Sequence, residues 1–194
     1  MKNKVIKISQ KLLLIGLFMT AALAGSASAA GKVRHAIIGS VKAVDKTAKT
    51  VVVKTADGTV ETVKWTGKTT VNGLKGGAKA ASFVGREGSY VVIHYTTKGV
   101  KKTADAFEYI GSETPKVVVG TVKVTGKGAK QVVVKTGDGA KTVLDLSERT
   151  VVDTGKGTAI ASKVVAKGTL DGAKVTVHYT EKGGRKVAHF IKRL

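Results

Sequence analysis

The chain repeats itself. Residues 39–58 read GSVKAVDKTAKTVVVKTADG and residues 120–139 read GTVKVTGKGAKQVVVKTGDG, in register at an offset of 81. Further on, HYTTKG at His94–Gly99 returns as HYTEKG at His178–Gly183, at an offset of 84, so one net insertion of three residues lies between the anchors. Self-similarity of this kind means that one structural unit is built twice, and any fold must close within a single copy. The copies are expected over 36–111 and 117–194, joined by a linker over 112–116 that holds Pro115, the only proline.

Within a copy the period is that of a β-strand. Ile37, Gly39, Val41 and Ala43 alternate with Ile38, Ser40, Lys42 and Val44. Val51-Val52-Val53-Lys54 is β-branched, and Asp57-Gly58 is a tight-hairpin signal before another alternating run, Val60 to Trp65. Two more strands are expected, Ser89 to Thr96 and Lys101 to Tyr109. Between the third and fourth strands, GGAKAASFV over Gly76–Val84 is rich in alanine and predicts a short helix, with a counterpart over Gly157–Val165. Val41, Val51 and Val53, with Val122, Val132 and Val134 in the second copy, are the expected core. Three strands, a short helix and two strands is the element order of an OB-like barrel.

The run G-x-V-x-x-V, VVVK, DG and T-x-V, then a helix and a G-x-x-V-x-V-x-Y strand, resembles the small OB-like domains of unknown function in exported bacterial proteins. That resemblance implies an all-β chain of two tandem five-stranded OB-like barrels, each with one short helix. It implies no catalytic residues, because its motifs are structural glycines and alternating valines.

The first residues predict export. Lys2, Lys4, Lys7 and Lys11 precede a short apolar run, Leu12 to Leu23, and Ala27-Ser28-Ala29 supplies the small-residue exit of a signal peptide over 1–29. That run falls short of the roughly 20 residues that span a bilayer. Cleavage is expected to leave Ala30 or Gly31 at the N-terminus, and no cysteine offers a lipoprotein anchor. The expected location is the periplasm or the outside of the cell. Exported chains often use disulfides, but this one has no cysteine and must rely on its cores.

Several motifs suggest chemistry and fail to carry it. Trp65-Thr66-Gly67-Lys68-Thr69-Thr70 ends like a phosphate-binding loop, yet Thr62 stands where such a loop needs its first glycine, and Thr70-Val71 reads as strand rather than as the start of a helix. The second copy is expected to set Glu148 opposite Lys68, a poor exchange for a phosphate ligand. His94 and His178 recur at one position, on the strand face opposite Val91, Ile93 and Tyr95, where each is expected on the barrel surface. Neither has the further ligands that zinc wants, and His35 and His189 have no internal counterpart. Asp57 and Asp138 each give a turn one carboxylate, too few for calcium. No nucleophile motif occurs, so the expectation is no enzyme, no cofactor and no metal.

Charge remains. The chain carries 34 basic and 13 acidic residues, net +21; loss of the leader's four lysines leaves 30 against 13, net +17. That exceeds the roughly 2–8 units that solubility asks of a small domain. Such an excess attracts polyanions. The bases crowd the turns, and the expected contacts are Lys98, Lys101 and Lys102 with their counterparts Lys182, Arg185 and Lys186. Lysine dominates, whereas base readout leans on bidentate arginine. Aromatics are sparse and several fall on core faces, so a stacking platform for single strands is poorly supplied. The expected partner is an anionic polymer (extracellular DNA, lipopolysaccharide or an acidic glycan) bound without sequence specificity. The alternative is a structural or assembly module of the cell envelope whose charge serves solubility.

Overall fold

The computed structural model describes residues 33–75, 78–124 and 130–194. The expected signal peptide and its cleavage site, and the Gly76-Gly77 start of the first expected helix, lie outside the described residues.

The first sheet holds β1 (Arg34–Asp45), β2 (Thr50–Thr55), β3 (Val60–Lys64), β4 (Thr70–Asn72), β5 (Tyr90–Lys98) and β6 (Lys101–Gly111). Its order is β3-β2-β1-β5-β6-β4, and a further pairing of β3 with β6 closes five of the strands into barrel 1. The second sheet holds β7 (Lys116–Val124), β8 (Gln131–Lys135), β9 (Lys141–Asp153), β10 (Thr158–Ile160), β11 (Lys174–Lys182) and β12 (Arg185–Arg193). Here β9-β12-β11-β7-β8 runs in order, and β8 pairs with β9 to close barrel 2. Where barrel 1 uses two strands, β3 and β4, barrel 2 runs one continuous β9. The fold is therefore all-β and OB-like, with a 3₁₀ turn at Ala80–Phe83 in one barrel and helix α1 at Ala161–Ala166 in the other.

Alternation explains both interiors, since successive strand residues face opposite sides. Val41, Val51 and Val53 in barrel 1 and Val122, Val132 and Val134 in barrel 2 are at most 1% exposed. Phe83, Ile93 and Phe107 complete the first core, and Leu144, Leu170 and Ile191 the second. Gly39 and Gly120 sit where β1 and β7 cross their partners. A Cβ there would lie 2.6 Å from the Lys54 carbonyl oxygen and 2.3 Å from that of Lys135, distances no side chain tolerates. Bulges at His94/Tyr95 and His178/Tyr179 bend the β5–β6 and β11–β12 ribbons, as barrel closure requires.

The barrels also share a third cluster. Ala36, Ile38 and Val92 on the outer face of barrel 1 pack with Val151 and Phe190 on the outer face of barrel 2, and Ile110 packs against them. Arg149 donates to the Tyr109 carbonyl at 3.3 Å, and Gly73 leaves the room it needs, since a Cβ there would stand 2.0 Å from the Arg149 guanidinium. Barrel 1 thus loses its β1–β5 face to contact, while the face of barrel 2 opposite its own core stays open over β7, β8 and the start of β9, with Val151 farther along β9 given to the contact.

Candidate functional site

The WTGKTT segment is a capped turn. The Thr69 hydroxyl accepts from the Thr66 N–H at 2.9 Å and donates to the Ala104 carbonyl at 2.7 Å. Barrel 2 repeats this: Thr150 accepts from the Ser147 N–H at 2.8 Å and donates to the Ala188 carbonyl at 2.7 Å. The matching bonds fix the alignment at an offset of 81, which puts Arg149, not Glu148, opposite Lys68. The expected charge reversal is therefore wrong. A phosphate loop is excluded instead by strand β4, which leaves the turn where a helix would have to begin.

The histidines need a correction too. His178 is only 8% exposed, not on an open barrel surface, and lies 6.0 Å from the Phe190 ring. His94 is half-buried and lines a cleft of about 550 Å³ with Arg34, Lys68, Asp105, Glu108 and, from barrel 2, Ile160. Both lie on the outer face, as strand parity predicts, but barrel-to-barrel packing covers that face. Burial pushes both imidazoles below their ordinary pKa. In the same cleft Glu108 accepts from the Asn72 side-chain amide at 2.6 Å, while its Oε2 and Asp105 Oδ2 have no hydrogen-bond partner. Arg34 Nε stands 3.3 Å from Asp105 Oδ2. Burial holds the Glu108 carboxyl above its usual range. Two carboxylates in one cleft make it a poor seat for a polyanion. Among the described residues no group of three or more His, Cys, Asp or Glu is placed to hold a metal ion.

The six expected cations divide. The β5–β6 hairpin sets Lys98 opposite Lys101, and the β11–β12 hairpin sets Lys182 opposite Arg185. Lys102, however, is ion-paired with Glu61 and lies 5.5 Å over the Tyr95 ring. Arg185 is held by Asp145, Nε at 2.9 Å and Nη2 at 2.8 Å from Oδ2, while Gln131 donates to the other oxygen at 2.7 Å. Lys186 stands opposite Glu181, a carboxylate that Lys116 already holds at 3.0 Å. The two hairpins therefore keep different sets free of an ion pair among the described residues: Lys98 and Lys101 in barrel 1, and Lys182 and Lys186 in barrel 2.

A denser set was missed by sequence reasoning. Lys174 of β11 pairs with Thr121 of β7, Thr121 with Lys135 of β8, and Lys135 with Lys141 of β9. These residues lie in one row across four strands on the solvent face, all exposed. Lys123 stands in the next row, beside Val133 and Val143. Neighbouring strands lie about 4.8 Å apart, so Lys135 and Lys141 stand directly opposite one another, an unfavourable pairing of like charges, while Thr121 lies between Lys135 and Lys174. Among the described residues none of these four lysines has an ion pair. Lys123, Lys135 and Lys141 ring a depression of about 290 Å³ that includes Val133 and one acid, Asp171, whose Oδ1 accepts from the Val124 N–H. The signal was present only as single lysines in separate strands; strand register brings them together.

No protein family's sequence profile matches the chain, and no curated protein matches it. Among solved structures it is similar to silver-bound CusF, at 14% identity and a TM-score of 0.30, over 40% of this chain and 97% of that one. A copper(II) form of a CusF variant from Escherichia coli gives the same identity and score, over 40% of this chain and 92% of that one. The Drosophila Unr segment CSD456 is 17% identical at a TM-score of 0.31, over 82% of this chain and 61% of that one. No ligand or activity is carried over from them.

Proposed function

We propose that this is an exported, non-enzymatic protein that binds anionic polymers by charge and without reading sequence. The observation that carries the reading is the row Lys174, Lys135 and Lys141, with Lys123 beside it, free of carboxylate partners among the described residues. Like charges set side by side cost stability, and an anionic partner removes that cost. The location suits an OB-like barrel, whose second and third strands and flanking loops take oligonucleotides and oligosaccharides in other proteins. Lys182 lies on one such loop, between the fourth and fifth strands of its barrel.

Recognition of bases has little support. Trp65, Phe83, Tyr95, Phe107, Tyr179 and Phe190 are all at most 9% exposed, so they stack inside the protein. Binding should therefore track charge and salt. On duplex DNA, log K against log salt should fall with a slope of about −0.9 for each phosphate neutralised. Changing Lys135 and Lys141 to glutamate should weaken binding and flatten the slope, and scrambling the DNA should change little. If the secreted protein shows no salt-sensitive binding to DNA, heparin or lipopolysaccharide at low ionic strength, the charge is a solubility device and the reading falls.

A further inference from the structure

The lysines of barrel 2 do not stand alone on their face. Val119 (47% exposed), Val117 (50%) and Val143 (50%) stand on it as well. Register places them in rows: Val119 pairs with Thr176, which pairs with Lys192; then comes the row Lys174, Thr121, Lys135, Lys141; then Lys123, Val133, Val143. Apolar and cationic positions therefore interleave on one open sheet surface. A soluble polyanion uses the lysines and leaves the valines wet. Alternation for a hidden core does not explain the valines, because they face away from it and nothing among the described residues covers them. At the same positions barrel 1 has Ile38, 6% exposed and packed in the contact between barrels, and Thr62, already polar.

We infer that this face docks on the surface of an anionic lipid bilayer, with Lys123, Lys135, Lys141, Lys174 and Lys192 against phosphates and Val117, Val119 and Val143 at the level of the upper acyl chains. The inference rests on the polyanion reading and narrows its partner. Basic groups near an anionic leaflet each strengthen attachment about fivefold, and apolar area withdrawn from water adds to it without regard to salt. The depression ringed by Lys123, Lys135 and Lys141, with Val133 among its lining residues, is a place where a headgroup phosphate meets both kinds of contact.

The test is sedimentation of the secreted protein with vesicles of phosphatidylcholine alone and of phosphatidylcholine with 30–50% phosphatidylglycerol (roughly the range over which surface charge is strong), beside fluorescence titration with duplex DNA. The expected result is binding to the anionic vesicles that retains a salt-resistant part. Val119→Ser with Val143→Ser should lower vesicle binding roughly threefold or more and leave DNA binding unchanged. Lys135→Glu with Lys141→Glu should lower both. Because all four positions are exposed, urea melts of the variants should match the parent. If anionic vesicles bind no better than neutral ones while DNA binds with its salt dependence, the bilayer is the wrong partner and the polyanion reading stands. Loss of both bindings removes both. Equal loss of vesicle and DNA binding in the serine pair also overturns the inference.

Discussion

Barrel 1 and barrel 2 share strand order, the bulge after His94 and His178, the capped turn and the core valines, yet their outer faces have opposite characters. The row that reads Lys174-Thr121-Lys135-Lys141 in barrel 2 reads Tyr90-Ser40-Lys54-Val60 in barrel 1. The next row reads Lys192-Thr176-Val119 in one and Glu108-Val92-Ile38 in the other. Three lysines become one, and a half-exposed valine becomes a buried isoleucine. Positions of β1 that barrel 1 gives to its neighbour are, in β7, positions that barrel 2 keeps in water, while barrel 2 gives Val151 and Phe190 to the contact instead. A duplicated barrel can thus divide its labour without changing its core, because a strand's two faces take substitutions independently.

The largest test of that division attacks what the barrels share. Val53→Asp and Val134→Asp each put a charge where the side chain is 0% exposed. Burial shifts a carboxyl by several pKa units, so each should cost at least about 5 kcal/mol and unfold its own barrel. Equal losses by circular dichroism in urea would confirm equivalent cores; a barrel that tolerates the charge would break the comparison at its base.

Phe190→Ala tests the contact between barrels. Phe190 is 3% exposed and packs with Ala36, Ile38 and Val92 across the contact. Its loss should cost about 3–4 kcal/mol. The counterpart in barrel 1, Ala106, is already small, so no matching truncation exists there. If the contact couples the barrels, urea unfolding should pass from one transition to two in this variant. A single unshifted transition would show that the shared cluster holds nothing together.

What the sequence disclosed and what it hid divide along distance. Period-2 valines, Asp-Gly turns and Gly39 with Gly120 write the barrel locally, and each has its meaning within a few residues. The Lys102–Glu61 and Arg185–Asp145 pairs span 41 and 40 residues and exist because β3 meets β6 and β9 meets β12. Two of six expected contacts are therefore already neutralised. The lysine row needs the register of four strands at once, and no run of sequence displays it. His178 lies on the outer face, as its strand parity says, but its burial depends on the second barrel. The Glu148 alignment failed because the turn's identity rests on Thr69 and Thr150, not on the more conspicuous charges between.

A smaller effect separates the barrels by pH. Burial pushes His189 down to about 4, and Arg149 adds to the shift. A folded pKa below the unfolded value near 6.5 means that stability is complete above pH 6.5 and is lost as pH falls toward 4. The loss should reach at most about 3 kcal/mol. His178 titrates in the same sense. In barrel 1 His94 shares it, but Glu108, raised by burial, works oppositely, stabilising at low pH and losing that contribution as pH rises. Barrel 2 should therefore be the more acid-sensitive. His189→Gln, which can keep the bond to Thr180 now at 2.8 Å, should flatten the melting temperature between pH 6.5 and 4, and an unchanged pH profile would remove His189 as the cause.

The smallest effect lies at the hairpins, where exchanges of charge at the closing seam set the two barrels apart. Lys64 of β3 holds the place that Asp145 holds in β9: Lys64 pairs with Thr103, and Asp145 with the corresponding Val187. Lys101 holds the place of Arg185. Both barrels close with an ion pair, Lys102–Glu61 in one and Arg185–Asp145 in the other, but barrel 1 also brings to its seam two lysines, Lys64 and Lys101, that are unpaired among the described residues. Lys64→Asp should install the missing pair with Lys101 and stabilise barrel 1 by only a few tenths of a kcal/mol, because exposed pairs are hydrated and salt screens them. Adding Lys101→Arg should improve it slightly, since a guanidinium can bind the carboxylate with two donors. The same substitution changes the local charge by two units and occupies Lys101, so DNA affinity should fall and the salt slope should lose about one contact. Asp145→Lys is the reverse exchange: it should release Arg185, destabilise barrel 2 slightly and steepen the slope. A double-mutant cycle in urea, read beside salt titrations of the same four proteins, separates the two effects. If Lys64→Asp leaves the slope unchanged, the barrel 1 hairpin is not a contact, and binding belongs to the sheet face of barrel 2 alone.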